Sequence, residues 1–206
     1  MNCTFCHNPE TISTCKGIEG TTEYTVDQLV DIIKESIPFI TGITVSGGEA
    51  TLNYKFLEEL FIETKKLGLT NLSDTNGYLP LYTPQTKSFV EATDGFMLDI
   101  KAMDNTDHIR LTGKSNKTII ENAKYLAKIG KLTEIRTVLM DGEKNEYTVD
   151  TITDILRDYP EVKYKLISYR PFGVRDEFLN IKTVSADEKA KLTKLVQSKN
   201  FTVIDL

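Results

Sequence analysis

The sequence of 206 residues lacks any long apolar run, and no stretch approaches the ~18 consecutive apolar residues that a membrane-spanning helix requires. It also lacks an excess of positive charge: 30 acidic side chains outnumber 25 basic ones, so nucleic acid and anionic lipid are poor electrostatic partners. The first residues carry no basic region followed by an apolar core, and no signal peptide is expected. Since 40% of the residues are hydrophobic, disorder is excluded as well. We predict a cytoplasmic protein with one domain over residues 1–206 and no membrane or nucleic-acid partner.

Cysteine is scarce, and its three copies, Cys3, Cys6 and Cys15, all lie near the start of the chain. An odd number crowded at one end is unlike a disulfide framework and indicates metal or redox chemistry. A zinc site would need a second Cys/His pair, and a thioredoxin-like pair would need an apolar strand before it. An iron–sulfur cluster would need more than two thiolates. His108 lies in a charged segment and is predicted to be a surface or capping residue.

Helical and extended patterns alternate along the chain. Strands are predicted at 43–45, near 72, and at 95–100, 132–139, 162–169 and 201–204. Helices are predicted at 25–36, 53–68, 84–90, 117–129, near 149–156 and at 185–196. This order implies right-handed βαβ units and a parallel sheet, with too few strands for an eight-stranded barrel of ~250 residues. We therefore predict an α/β fold, a partial (β/α)6-type barrel with mostly parallel strands that lacks its first strand, because no strand precedes the cysteines.

Local signals define several helix ends. Thr25 with Gln28 and Ser185 with Glu188 have the spacing of capping boxes, and Asn53 is a candidate N-cap. In the first helix, the spacing predicts one buried face that consists of Leu29, Ile32 and Ile33.

Polar residues gather where the predicted strands end. Gly47-Gly48-Glu49, Asp74, Asp99 with Lys101, and Arg170 all follow apolar strand cores, and parallel α/β folds bind ligands at these carboxyl ends. Glycines allow a ligand to approach the backbone, the aspartates can bind a cation or an amine, and Lys101 and Arg170 can hold a carboxylate. The mid-strand Arg136 would be costly to bury without an acidic partner, so a role in a site is favoured.

Six segments, read in order, resemble one family. They are CTFCHNPE at 3–10, TVSGGEATL at 44–52, DTNGY at 74–78, MLDIK at 97–101, LTGKSN at 111–116 and EIR at 134–136. In order and spacing they are similar to the radical S-adenosylmethionine (SAM) enzymes that activate glycyl-radical enzymes. The similarity runs from Cys3 to about Gly173.

The resemblance implies two cofactors, a [4Fe-4S] cluster and SAM, together with a monovalent cation beside SAM. Family members bind the cluster through three cysteines spaced Cys-x-x-x-Cys-x-x-Cys, and Cys3 and Cys6 match the second and third. The resemblance places Gly48 and Glu49 at the amino group of the methionine part of SAM. It implies that Asp74, Thr75, Asp99 and the Met97 carbonyl surround the cation. Lys101 and Arg136 are the implied side-chain contacts with SAM.

The resemblance also implies the activity. One electron from the reduced cluster cleaves SAM to a 5′-deoxyadenosyl radical, which abstracts a hydrogen atom from a glycine of the partner, a glycyl-radical enzyme. A flavodoxin- or ferredoxin-type protein is the implied electron donor. The protein's own part is binding, orientation and exclusion of water.

The sequence departs from the family pattern in three places. The first cysteine of the pattern would lie four residues before Cys3, so we expect Met1 to be an internal methionine of a longer protein. Arg170 stands where a family member has a SAM-contacting histidine. A two-cluster insert of some relatives is absent, and Cys15 is interpreted as its remnant.

Two other functions remain alternatives at this stage. One is a non-catalytic fragment that binds SAM or docks a partner without a working cluster. The other is a phosphate- or sugar-binding α/β enzyme that uses the glycine loop and Lys101.

Overall fold

The structure, a computed structural model, describes residues 1–9 and 21–204. Within them, six strands, β1 to β6, lie at Gly42–Val45, Thr70–Thr75, Gly95–Asp99, Leu132–Leu139, Lys163–Ser168 and Val203–Ile204. Seven α-helices, α1 to α7, lie at Val26–Ser36, Tyr54–Lys66, Lys87–Ala92, Asn105–Thr112, Lys117–Lys128, Asn145–Ile155 and Ala186–Ser198. No helix in these described ranges combines the length and the apolar character needed to cross a membrane.

The six strands form one parallel sheet in the order of the chain, from β1 at one edge to β6 at the other. Because parallel crossovers are right-handed, an unbroken sequential order places every connecting helix on the same face. The carboxyl ends of the strands meet along one rim. The prediction of an α/β fold with a partial (β/α) barrel is confirmed.

The helices pack on the sheet through a continuous apolar layer. Strand β3 is buried over four of its five residues, as expected for a strand in the middle of a parallel sheet. Its Phe96 meets Phe89 of α3 edge-on at 5.7 Å between ring centroids, and Phe61 of α2 stacks on Phe89 at 6.3 Å. This layer anchors β2 and β3, whose carboxyl ends carry Asp74 and Asp99.

The capping signals are confirmed only in part. Thr25 and Gln28 form the full reciprocal box at the start of α1. At α7, Ser185 accepts from the Glu188 amide, but the Glu188 carboxylate accepts from Asn145 instead, so that box is only half formed. Asn53 makes no side-chain cap, because a 3-10 turn over Ala50–Asn53 precedes α2.

The predicted apolar face of α1 is rotated relative to the observed one. Val26 and Val30 are buried, and Leu29 and Ile33 pack against the same core. Ile32 lies outside this stripe and is 48% exposed, so its predicted burial is wrong. The observed set, 26, 29, 30 and 33, follows the i, i+3, i+4, i+7 spacing of one helical face.

Helix α4 is not predicted by the apolar pattern, because most of its residues are polar. Two signals do mark it. The Asp104 side chain accepts from the Thr106 and Asp107 amides at 2.9 and 3.1 Å, and Gly113 ends the helix in a left-handed conformation with φ 74°.

His108 of α4 is fully buried, so the expectation of a surface position is wrong. The capping alternative is closer: Nδ1 lies 2.7 Å from the carbonyl oxygen of Lys114, just beyond the helix end. Since a carbonyl only accepts, Nδ1 carries the hydrogen. Nε2 is buried and has no hydrogen-bond partner in the described part of the chain. The imidazole is therefore neutral in the folded state at neutral pH.

The buried imidazole makes stability depend on pH. Burial lowers the pKa of His108, so near pH 6 the unfolded chain binds more protons than the folded one. The stability from this group is present above the unfolded pKa of about 6.5 and is lost as the pH falls below it. Between pH 7.5 and 5, we expect the wild type to lose about 1–2 kcal/mol more of its free energy of unfolding than His108→Asn does. Urea titrations at both pH values measure this, and equal losses in the two proteins would contradict it.

Candidate functional site

A cavity of about 400 Å³ opens at the carboxyl ends of the strands. Its walls come from the loops after β1, β2 and β3, from β4 and β5, and from the N-terminal segment. The structure brings most of the predicted site residues to this cavity: Cys3, Cys6, Gly48, Glu49, Asp74, Thr75, Asp99, Lys101 and Arg136. Residues far apart in the sequence therefore face one space.

The glycine loop after β1 is held by the carboxylate of Glu49. Oε1 accepts from the amide and hydroxyl of Thr51 at 3.2 and 2.5 Å and from the hydroxyl of Thr75 at 2.8 Å. Oε2 accepts from the amide of Asn76 at 2.7 Å. These bonds tie the loop to the end of β2. Gly47 has a φ of +152°, which side chains rarely adopt, so glycine is required there.

Lys101 forms a shielded ion pair beside the cysteines. Its Nζ lies 2.8 Å from Asp99 Oδ2, and its side chain is only 11% exposed. The ammonium also lies 5.4 Å from the centroid of the Phe5 ring, a cation–π contact. Burial alone would lower the pKa of Lys101, but the charges of Asp99 and Cys3 outweigh it and raise that pKa. Lys101 therefore keeps a positive charge in the cavity.

Arg136 has the acidic partners that a buried arginine needs. Its guanidinium donates to Asp74 Oδ1 at 3.0 Å, forms an ion pair with Glu134, and lies 2.9 Å from the sulfur of Met97. Burial opposes the charge, yet the bonds from Glu134 and Asp74 raise the pKa of Arg136. Sequence reasoning missed Glu134, although it stands two residues before Arg136 and so faces the same side of β4.

Cys3 and Cys6 are free thiols at the edge of the cavity. The amide of Cys6 donates to the carbonyl of Cys3 at 3.3 Å, which closes a tight turn around the buried Phe5. Burial raises the pKa of the Cys3 thiol, while the charge of Lys101 partly offsets the increase. A ligand that takes thiolates would have to bring its own positive charge.

Two of the predicted residues that the structure describes do not line the cavity with their side chains. The Arg170 side chain is exposed and does not line the cavity, and its carbonyl oxygen lies 3.1 Å from His7 Nε2. Met97 is buried behind the wall, with its sulfur against Arg136. Cys15 lies outside the described residues.

The apolar wall of the cavity is another feature that sequence reasoning missed. Val138 of β4, Ile167 of β5 and Tyr169 line it. Val138 lies two residues after Arg136, and Ile167 pairs with Val138 across the sheet, so both face inward. The alternation along β4, counted from Arg136, could have identified Val138. The cavity is thus lined by apolar side chains as well as charged ones.

The donor set can be compared with the cofactors that the resemblance implies. Thiolates are the ligands of iron–sulfur clusters, so Cys3 and Cys6 fit in type and supply two of the three in the family pattern. In residues 1–9 and 21–204, no group of three or more His, Cys, Asp or Glu side chains is placed to hold a metal ion. The charged and apolar walls suit a ligand such as SAM, which combines an amino acid with a nucleoside.

Comparison with known proteins gives the family. The Radical SAM superfamily model matches residues 1–155. The pyruvate formate-lyase 1-activating enzyme of Escherichia coli K12 is 35% identical over 182 residues, covering 84% of this chain and 71% of that enzyme. The Staphylococcus aureus pyruvate formate-lyase-activating enzyme is 35% identical over 84% of this chain and 72% of its own length. A putative glycyl-radical enzyme activating enzyme of Haemophilus influenzae is 32% identical over 86% and 74%.

Solved structures agree on the fold. A domain of the pyruvate-formate lyase-activating enzyme from Bacteroides vulgatus superposes with a TM-score of 0.66 at 20% identity, covering 79% of this chain and 97% of that one. Streptococcus suis SuiB bound to S-adenosylmethionine gives 0.76 at 18% identity, covering 98% of this chain and 47% of that one. The chain therefore belongs to the radical SAM superfamily and, within it, to the enzymes that activate glycyl-radical enzymes.

Proposed function

We propose that this chain is the SAM-binding core of an activase that generates a radical on a glycine of a partner enzyme. One observation carries the proposal: two thiols, the glycine loop and two shielded ion pairs converge on a single cavity at the carboxyl rim of the sheet. The relatives that activate glycyl-radical enzymes support the same activity.

The charged wall would hold the methionine part of SAM. Lys101 would bind its carboxylate, since its ammonium stays protonated and is largely withdrawn from water. Gly48 would let the backbone approach the amino group. Glu49 accepts three hydrogen bonds at Oε1 and one at Oε2, which leaves Oε2 able to accept another from that amine.

The apolar residues of the lining would take the adenosyl part. Val138, Ile167 and Tyr169 offer an apolar surface on which a nucleobase can pack and from which water is excluded. Cys3 and Cys6 would hold two corners of a [4Fe-4S] cluster beside it. When bound and reduced, the cluster supplies the electron that cleaves SAM, so that the adenosyl fragment can take hydrogen from glycine.

The proposal includes a cation and two protein partners. Asp74, Thr75, Asp99 and the Met97 carbonyl are the proposed cation ligands, and a cation there would share the aspartates with Arg136 and Lys101. The partners are a glycyl-radical enzyme as substrate and a flavodoxin- or ferredoxin-type electron donor.

Ligand binding and anaerobic iron–sulfide reconstitution test the proposal. We expect the chain as given to bind SAM by calorimetry but to purify without stoichiometric iron and sulfide, because two thiolates do not replace three. Extension upstream, with a cysteine four positions before Cys3, should add a brown chromophore, a cluster EPR signal and release of 5′-deoxyadenosine. Release of 5′-deoxyadenosine distinguishes an activase core from a fragment that only binds SAM.

Two outcomes would contradict the proposal. Stoichiometric iron in the unextended chain would show that the ligand assignment is wrong. Tight binding of a sugar phosphate with no affinity for SAM would favour a phosphate- or sugar-binding enzyme instead.

A further inference from the structure

The cysteine segment, residues 2–7, is anchored on one side by the end of α4. The amide of Thr4 donates to the carbonyl of Leu111 and the amide of Asn2 to the carbonyl of Thr112, both at 2.9 Å. These carbonyls lie in the last turn of the helix, where backbone acceptors have no intrahelical partner. The helix end therefore offers two preformed acceptors to the segment.

On its other side, the segment meets the stretch that follows β5. His7 Nε2 lies 3.1 Å from the carbonyl oxygen of Arg170. Gly173 has a φ of +74°, and a Cβ there would lie 2.5 Å from the carbonyl oxygen of His7, so the two backbones touch. Only glycine permits this approach.

Arg175, which also follows β5, holds the cysteine segment by a bidentate pair of hydrogen bonds. Nη1 donates to Asn2 Oδ1 at 3.0 Å and Nη2 donates to the carbonyl of Cys3 at 3.2 Å. The guanidinium lies 4.9 Å from the centroid of the Phe178 ring, which restricts its plane. The two Nη groups of Arg175 form a planar fork, which the aromatic ring holds in one orientation. Such a fork binds two acceptors at once with less loss of freedom than a flexible lysine ammonium.

The carbonyl of Cys3 is the point on which these contacts converge. It accepts from Arg175 and, at 3.3 Å, from the amide of Cys6, so one oxygen links the fork to the turn between the two cysteines. The segment belongs to no helix or strand, and without these bonds its backbone would have to be ordered at the moment a cofactor binds.

We propose that Arg175 is a positioning residue that holds the Cys3 backbone so that its thiol stays at the cavity. Arg175 is not among the residues that line the cavity, and it holds the segment through Asn2 Oδ1 and the Cys3 carbonyl. The purpose of this positioning, ligation of a cluster, rests on the proposed function. The positioning itself is tested in the cofactor-free chain, so the two proposals fail separately.

The test measures how fast iodoacetamide alkylates Cys3 under native conditions, in a Cys6→Ser, Cys15→Ser background that leaves one thiol. We expect Arg175→Ala to react about tenfold faster, which corresponds to about 1.4 kcal/mol of local opening. Arg175→Lys keeps the charge but loses the fork, and should recover less than half of the protection. The matched control is Arg157→Ala, which removes an exposed arginine paired only weakly with Asp158, at 3.9 Å, and should leave the rate unchanged.

A double-mutant cycle with Asn2→Ala separates a direct contact from general loosening. Asn2→Ala removes one acceptor of the fork and should raise the rate about threefold, with a much smaller effect once Arg175 is absent. Additive effects, or a rate in Arg175→Ala equal to that of the wild type, would overturn the proposal. If circular dichroism shows that Arg175→Ala does not fold, the alkylation rate of Asn2→Ala alone is the test. An Asn2→Ala rate equal to that of the wild type would also overturn the proposal.

Discussion

Replacing Lys101 by methionine is expected to weaken SAM binding by at least about a hundredfold. Methionine keeps the unbranched shape and most of the length of the side chain, so the change removes mainly the ammonium, with its charge and its cation–π contact with Phe5. A charge-assisted hydrogen bond in a shielded site contributes about 1.5–3 kcal/mol, and 2.7 kcal/mol corresponds to a hundredfold. Asp99 would also be left without its cation, and its negative charge would repel the carboxylate of the ligand.

Calorimetric titration with SAM measures the effect in the cofactor-free chain. Lys124→Met is the control, because Lys124 is exposed on α5 and its one ion pair among the described residues is with Glu121 of the same helix. It should bind SAM as the wild type does. A Lys101→Met protein that keeps its fold and binds within threefold of the wild type would show that Lys101 does not contact the ligand.

Removing the side chain of Asn122 is expected to cost about 3 kcal/mol of stability. The amide of this fully buried residue of α5 accepts from the Leu81 amide and donates to the carbonyls of Gly77 and Leu79, all at 2.8 Å. In Asn122→Ala, two buried backbone groups and the part-buried carbonyl of Leu79 lose this partner, and each unsatisfied buried group costs about 1–3 kcal/mol. The estimate lies at the lower end, because water can enter the space that alanine leaves.

Urea unfolding of Asn122→Ala, followed by circular dichroism, measures this loss. Glu121→Ala is the matched control on the same helix. The side chain of Glu121 is 57% exposed and, in the described part of the chain, forms an ion pair with Lys124 alone, so its loss should change stability by less than about 0.5 kcal/mol. Equal midpoints for the two variants would mean that the loop at 77–81 does not depend on Asn122.

The sequence indicated the site because of a general property of parallel sheets. Polar residues that directly follow apolar strand cores, such as Asp74 and Asp99, necessarily fall on one rim once the strands are parallel. Arg136 was predicted from the cost of burying an unpaired guanidinium, and the structure supplies both the acidic partners and the cavity. These predictions needed no knowledge of side-chain orientation beyond strand alternation.

The residues whose positions the sequence did not predict lie in irregular backbone or depend on tertiary packing. Arg170 follows β5 as the predicted residues follow other strands, but the chain turns there, and its carbonyl rather than its guanidinium faces the cysteine segment. His108 lies in a polar segment of the sequence, and its burial follows from the packing of α4. No apolar periodicity predicts this helix. The contact of Arg175 with Cys3 joins residues too distant in sequence for local patterns to connect.

The sequence separation of these contacts has a consequence during synthesis. The thiols leave the ribosome well before their anchors, because the partner of His7 lies 163 residues later and that of Asn2 lies 173 residues later. At about 5–20 residues per second, the cysteines wait roughly ten to thirty seconds in a nascent chain before their anchors emerge. Loading of metal would therefore follow the synthesis of Arg170 and Arg175, and the thiols would be vulnerable to oxygen throughout that interval.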